Sequence, residues 1–194
     1  MEESMASLTE MNQAAAEKAS TVLSKLIDRS VAVAFSTIGV KKIADLCPFI
    51  PPKDIVMGIV LPIVGEIRGV AMLILPEDFT LTIVDILTGK RSRTIRQLTE
   101  LEESALKEVG NVITGAYLTV LCDMSGVRLV ERIPVLIHDT FECVISEGTR
   151  SFLEDPEEAM VGAVELAFES ATVRGYFLLL LEDGENVFDR FTYL

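Results

Sequence analysis

Residues 65–79 read GEIRGVAMLILPEDF, and residues 170–184 read SATVRGYFLLLLEDG. With one residue of slack near its start, the second stretch lies on the first. Arg68-Gly69 meets Arg174-Gly175, an apolar run follows, and Glu77-Asp78 falls on Asp183-Gly184 or the pair before it. Upstream of each copy stands an apolar-periodic stretch, LTEMNQAAAEKASTVLSKL at 8–26 and LTELEESALKEVGNVITGAYLTVL at 98–121. The two share their opening and their apolar rhythm, so each half reads helix, strand, strands. Halves at about 8–89 and 98–184 predict a single α/β domain of the α+β kind over 1–194. Its sheet is expected to be mainly antiparallel, with a pseudo-twofold and long helices packed on one side.

The remaining segments fit around that duplication. Asp28 stops the first helix, and Ser30 to Val40 alternates as a strand, with Val31, Val33 and Phe35 on one face and Ala32 and Ala34 on the other. Lys41 to Leu46 suits helix or strand. Pro48, Pro51 and Pro52 mark a loop, since each fixes φ and removes a donor. Ile55–Ile63 and Arg68–Leu75 read as central strands joined near Gly65. Pro76-Glu77-Asp78 opens a short helix, with Phe79, Ile83 and Leu87 inward and Gly89 at its end. Lys90 to Arg96 (KRSRTIR) holds four of the seventeen basic residues and reads as an exposed connector, with a docking patch as the other reading. Val127–Val130 and Ile133–Ile137 suggest a strand interrupted near Glu131, and Phe141–Ile145 another short strand. Glu147–Glu158 reads as a polar turn region, Ala159–Glu169 and Val173–Leu181 as a hairpin, and Val187–Leu194 as a tail.

Composition removes several classes of function. The 194 residues suffice for a sizeable core, and 49% of them are apolar. The longest apolar stretch, Ile55 to Gly65, is about half of what a membrane span needs. Glu2, Glu3 and Glu10 occupy the opening residues where a secretory signal would need a basic start, so none is expected. A net charge of −13 repels nucleic acid and anionic membranes. Solubility, a basic partner and a salty cytosol would each account for it. Cys47, Cys122 and Cys143 are odd in number, lack CxxC spacing and lie in apolar surroundings, as reduced cytoplasmic thiols do. The single histidine, His138, has no ligand set around it, so a structural role and no metal site are expected.

The 98–121 stretch carries the candidate chemistry. Ser104, Glu108 and Asn111 stand at i, i+4 and i+7, which puts them on one helix face. Most other positions from Leu101 to Tyr117 are small or apolar, so the helix is expected to be buried except for this stripe. Taken by itself, the stripe is explained as well by a solvated edge as by a site.

A fourth residue sharpens it. Pro134 follows Asn111 after twenty-two intervening residues. The set Ser104-x3-Glu108-x2-Asn111-x22-Pro134 resembles the D/S-x3-E-x2-N-x22-P signature of the CheC-type chemotaxis phosphatases, the CheC/CheX/FliY family. Such a set of fixed positions arises by chance in roughly a few in a thousand chains of this size. The words around the motif, the arrangement of halves and the length resemble that family too.

Members of the family hydrolyse the aspartyl phosphate of the response regulator CheY. The resemblance implies that Glu108 and Asn111 are exposed and enter the regulator's active site, with Ser104 and Pro134 in support. The regulator would bring its own Mg²⁺ and lysine, so no cofactor of this chain's own is expected. An asparagine amide can donate and accept, which suits it to aligning a water with phosphorus; a glutamate can pair with the lysine and fix the docking register. In the first half Asn12 stands at the asparagine position, but Thr9, Met5 and Phe35 occupy those of the glutamate, the Ser/Asp and the proline. Glu10 is one residue out of register, about 100° around the helix. One intact and one degenerate site are therefore expected. The family also implies the receptor-modifying deamidase CheD as a partner, a cytoplasmic location and, from the duplicated halves, a monomer. The alternatives are a non-catalytic adaptor that binds CheD or CheY, and a flagellar switch component of the FliY/FliM group.

Overall fold

The first helix, α1 (Glu2–Ile27), buries Met11, Ala15, Ala19 and Leu23, one residue per turn along a single face. It ends at Asp28, whose φ of 52° reverses the chain. The first strand, β1 (Val31–Lys42), then runs back beneath the helix with Val31 and Val33 inward and Ala32 and Ala34 outward. The Val31 and Val33 amides donate to Ser24 Oγ (2.9 Å) and Ser20 Oγ (2.8 Å) of α1. Side chains of the helix thus close the outer edge of the strand over this stretch. The computed structural model describes residues 2–42, 51–89, 94–95, 98–153 and 158–182. Cys47, Pro48, most of the basic connector and the tail from Val187 to Leu194 lie outside the described residues.

β2 (Ile55–Gly65) and β3 (Gly69–Pro76) form a hairpin. α2 (Glu77–Thr88) follows, closed by Gly89 in the left-handed conformation. The second half runs α3 (Glu100–Ser125), β4 (Leu129–Glu131), β5 (Val135–Thr140), α4 (Phe141–Arg150), β6 (Glu158–Phe168) and β7 (Thr172–Leu181). All seven strands join one antiparallel sheet in the order β1-β6-β7-β3-β2, with both β4 and β5 on the far edge of β2.

That order is symmetric under exchange of β1 with β4/β5, β2 with β6, and β3 with β7. The central pair fixes the axis. The offset that lays Arg68-Gly69 on Arg174-Gly175 also carries Met72 onto Leu178, and these two are cross-strand partners. The glycines obey the same symmetry. A Cβ on Gly69 would lie 2.6 Å from the Leu180 carbonyl oxygen and 2.6 Å from Leu181 Cδ2. One on Gly175 would lie 2.6 Å from the Ile74 carbonyl and 2.7 Å from Leu75 Cδ2. Only glycine lets these two strands approach so closely at either end, which is why the Arg-Gly pair recurs.

The sheet separates two cores. On one face α1, α2 and α3 pack Met11, Leu23, Ile83, Leu106, Ile113 and Leu121 against Ile59, Leu61, Leu73 and Leu179. Here Phe35, Tyr117 and Phe177 form an aromatic cluster with centroids 4.9–5.9 Å apart. The opposite face carries α4. Residues 141–145 are therefore not a strand, and the polar region from Glu147 begins inside a helix. Thr140 caps it by accepting from the Cys143 amide (3.3 Å), and Phe141, Val144, Ile145 and Gly148 form its buried face. The β-branched residues that suggested a strand are spaced for one side of a short helix, and tertiary burial decides the outcome. In the connector, Ile95 is buried at 4% exposure rather than solvated.

Candidate functional site

The site is built on α3, and the start of that helix is strongly fixed. Thr99 accepts from the Glu102 amide, while Glu102 reaches back to the Thr99 amide (2.7 Å), a reciprocal capping box. Glu102 is consequently buried, and Glu100 and Glu103 lie favourably near the positive end of the helix dipole. Leu106, Val109, Gly110 and Ile113 press on the sheet, so rotation of the helix about its axis is fixed by packing.

With that rotation set, the polar stripe faces outward. Ser104 and Glu108 are exposed, and Asn111 is half-buried. Asn111 Nδ2 lies 3.5 Å from Glu108 Oε2, at the long limit of a hydrogen bond. This weak, exposed contact leaves the amide and the carboxylate side by side and available to a partner. Pro134 is buried just beyond β4, and Ser104 makes no hydrogen bond to another described residue.

The same helix face continues through Gly115 and Cys122, and there it is covered. β4 crosses it: the Leu129 amide lies 3.3 Å from Cys122 Sγ, and the Glu131 carboxylate rests against Gly115. A Cβ on Gly115 would come within 2.8 Å of Glu131 Oε1. The exposed stripe therefore ends where α3 passes under β4, and Glu131 stands at that boundary, one turn past Asn111. Sequence reasoning passed over Glu131, because its distance along the chain from Asn111 gives no sign of proximity. The one available signal was a glycine at i+4 after Asn111.

The first-half counterpart differs. Asn12 is buried at 8% exposure and has a bonding partner, whereas Thr9 and Glu10 are exposed. Asn12 lines a cleft of about 660 Å³ between α1 and β1, together with Leu8, Gln13, Ala16 and Phe35. Phe35, at the proline position, belongs to the aromatic cluster. The side chain of Met5 lies outside the described residues.

Elsewhere, His138 Nε2 sits 3.6 Å from Glu77 Oε1, linking β5 to the start of α2. Among the described residues no three His, Cys, Asp or Glu side chains group closely enough to hold a metal ion. Cys122 and Cys143 are both free thiols. No helix of the described residues is long and apolar enough to cross a membrane.

No protein-family model matches the chain. In sequence it is 29% identical over 163 residues to the CheY-P phosphatase CheC of Bacillus subtilis (strain 168), covering 82% of this chain and 78% of that protein. In structure it is similar to Thermotoga maritima FliY, with a TM-score of 0.71, 18% identity, and 95% and 93% of the two chains covered. The chain resembles the CheC/CheX/FliY family. The FliM middle domain of H. pylori has a similar fold, at a TM-score of 0.68 and 11% identity, over 98% and 99% of the two chains.

Proposed function

We propose that this chain is a phosphatase acting on the aspartyl phosphate of a CheY-type response regulator. The observation that carries the proposal is the pairing of Glu108 and Asn111, side by side and outward on a helix otherwise held by its core. An acyl phosphate is already activated; what hydrolysis needs is a water held in line with the P–O bond. Docking would bring the Asn111 amide to that water, and Glu108 to the regulator's active-site lysine. The water oxygen bonds to phosphorus, the P–O bond to the aspartyl group breaks, and the carboxylate leaves with the electron pair. Inorganic phosphate is released, and the proton of the water passes to phosphate or solvent. Mg²⁺ belongs to the phosphorylated regulator, the substrate. Asn111 titrates nothing, and Glu108 is neither nucleophile nor strong base.

In this proposal the chain works as a cytoplasmic monomer with one active face. CheD is a second partner, and Asn12 contributes little to turnover. The experiment is release of phosphate from a phosphorylated CheY-type regulator by the wild type, Asn111→Ala and Glu108→Ala. Loss of one oriented polar group should lower the rate on the order of 10²-fold. Unchanged hydrolysis in Asn111→Ala would refute the assignment.

A second reading, an adaptor or flagellar switch component without turnover, draws support from the likeness to the FliM middle domain. It predicts regulator or CheD binding by the wild type with no acceleration of phosphate release.

A further inference from the structure

We infer that Glu131 is a second anionic contact of the same face, positioned by Gly115 to receive a cationic group of the docked regulator beyond Asn111. This rests on the phosphatase reading and adds a residue that decides specificity. Residues 108, 111 and 115 follow one another along one side of α3. Helix rise separates the first two by about 4.5 Å and the last two by about 6 Å along the axis. Position 115 has no side chain of its own, and the space is taken by the Glu131 carboxylate arriving from β4. The Asn111 amide is therefore bracketed by two carboxylates, one from its own helix and one from the sheet edge.

Glu131 makes no close ion pair with another described residue, whereas Glu66 pairs with Arg128, Glu165 with Arg174 and Glu182 with Arg68. Such a bracket repels a bare phosphate or a small acyl phosphate, both dianionic. It favours a phosphoryl group ringed by a divalent cation and basic side chains, as on a phosphorylated regulator. Glu131 acts by positioning this partner and takes no part in bond breaking.

The test measures KM and kcat for phosphate release from the phosphorylated regulator, across a range of salt, for the wild type, Glu131→Gln, Gly115→Ala and Glu165→Gln. Glu131→Gln removes the charge at constant size, and Gly115→Ala keeps the charge but pushes it off the helix. Both should raise KM about tenfold with kcat within twofold, and flatten its salt dependence. Glu165→Gln, on β6 and separated from β4 by three strands of the sheet, should match the wild type. Unchanged KM in Glu131→Gln, or a fall in kcat at constant KM, overturns the inference. Binding of the regulator activated by beryllium fluoride is measured in parallel. A wild type without turnover, whose affinity is still weakened by Glu131→Gln, defeats the phosphatase reading and leaves the docking contact standing. A wild type with turnover that is indifferent to Glu131 does the reverse.

Discussion

Met72 and Leu178 are cross-strand partners, and each is the other's counterpart in the internal repeat. The pseudo-twofold passes between them, so an equivalent substitution on either side should meet an equivalent environment. Gly69→Ala and Gly175→Ala would each drive a methyl group into a carbonyl oxygen and a leucine of the opposing strand. Overpacking of this kind costs about 1–3 kcal/mol or more. Urea unfolding should show two losses of similar size; a large loss at one glycine and none at the other would break the equivalence.

The two asparagines should separate stability from activity. Asn12 is buried and has a bonding partner, so Asn12→Ala removes that contact and should cost about 0.5–1.5 kcal/mol of stability. Phosphate release per folded molecule should be nearly unchanged. Asn111→Ala removes only a weak exposed contact, so its unfolding midpoint should stay close to that of the wild type while turnover falls. Denaturation and single-turnover assays on both variants read the pattern directly.

The capping box at the start of α3 should be worth about 1 kcal/mol through Thr99. Thr99→Ala and Glu102→Ala remove the two halves of one reciprocal contact, so the double variant should lose less than the sum. Thermal unfolding checks this. Additive losses would mean the two hydrogen bonds are independent.

Burial beneath the helices pushes the Tyr117 hydroxyl well above its ordinary value of 10.0. The unfolded chain ionises near that value while the folded chain stays neutral, so unfolding releases a proton above it. Stability from this group is complete below pH 10 and falls as pH rises further, by about 1.4 kcal/mol per unit. Tyr117→Phe forfeits only a 3.7 Å contact with Met160 Sδ. Its unfolding free energy should decline less steeply than that of the wild type between pH 9 and 11.5, and parallel curves would contradict the assignment.

The duplicated sheet and the outward stripe were legible because both depend on local periodicity. Met11, Ala15, Ala19 and Leu23 announce α1 by their spacing, as the run after Arg68-Gly69 announces β3. Residues 141–150 were harder. A ten-residue helix with one buried face has too few turns to separate its period from that of a strand, and its position opposite the long helices follows from the sheet alone. Glu131 was hidden for a different reason. Its closeness to the site comes from the path of β4 across α3, an event between elements that no spacing along the chain records.

Ser20 and Ser24, bonded to the Val33 and Val31 amides, have a consequence for assembly. A strand arriving from another molecule would find these donors already satisfied and the way blocked by α1. Over that stretch the sheet cannot be extended by a neighbour, and two inexpensive hydroxyls give a strongly apolar chain local protection against fibrous aggregation.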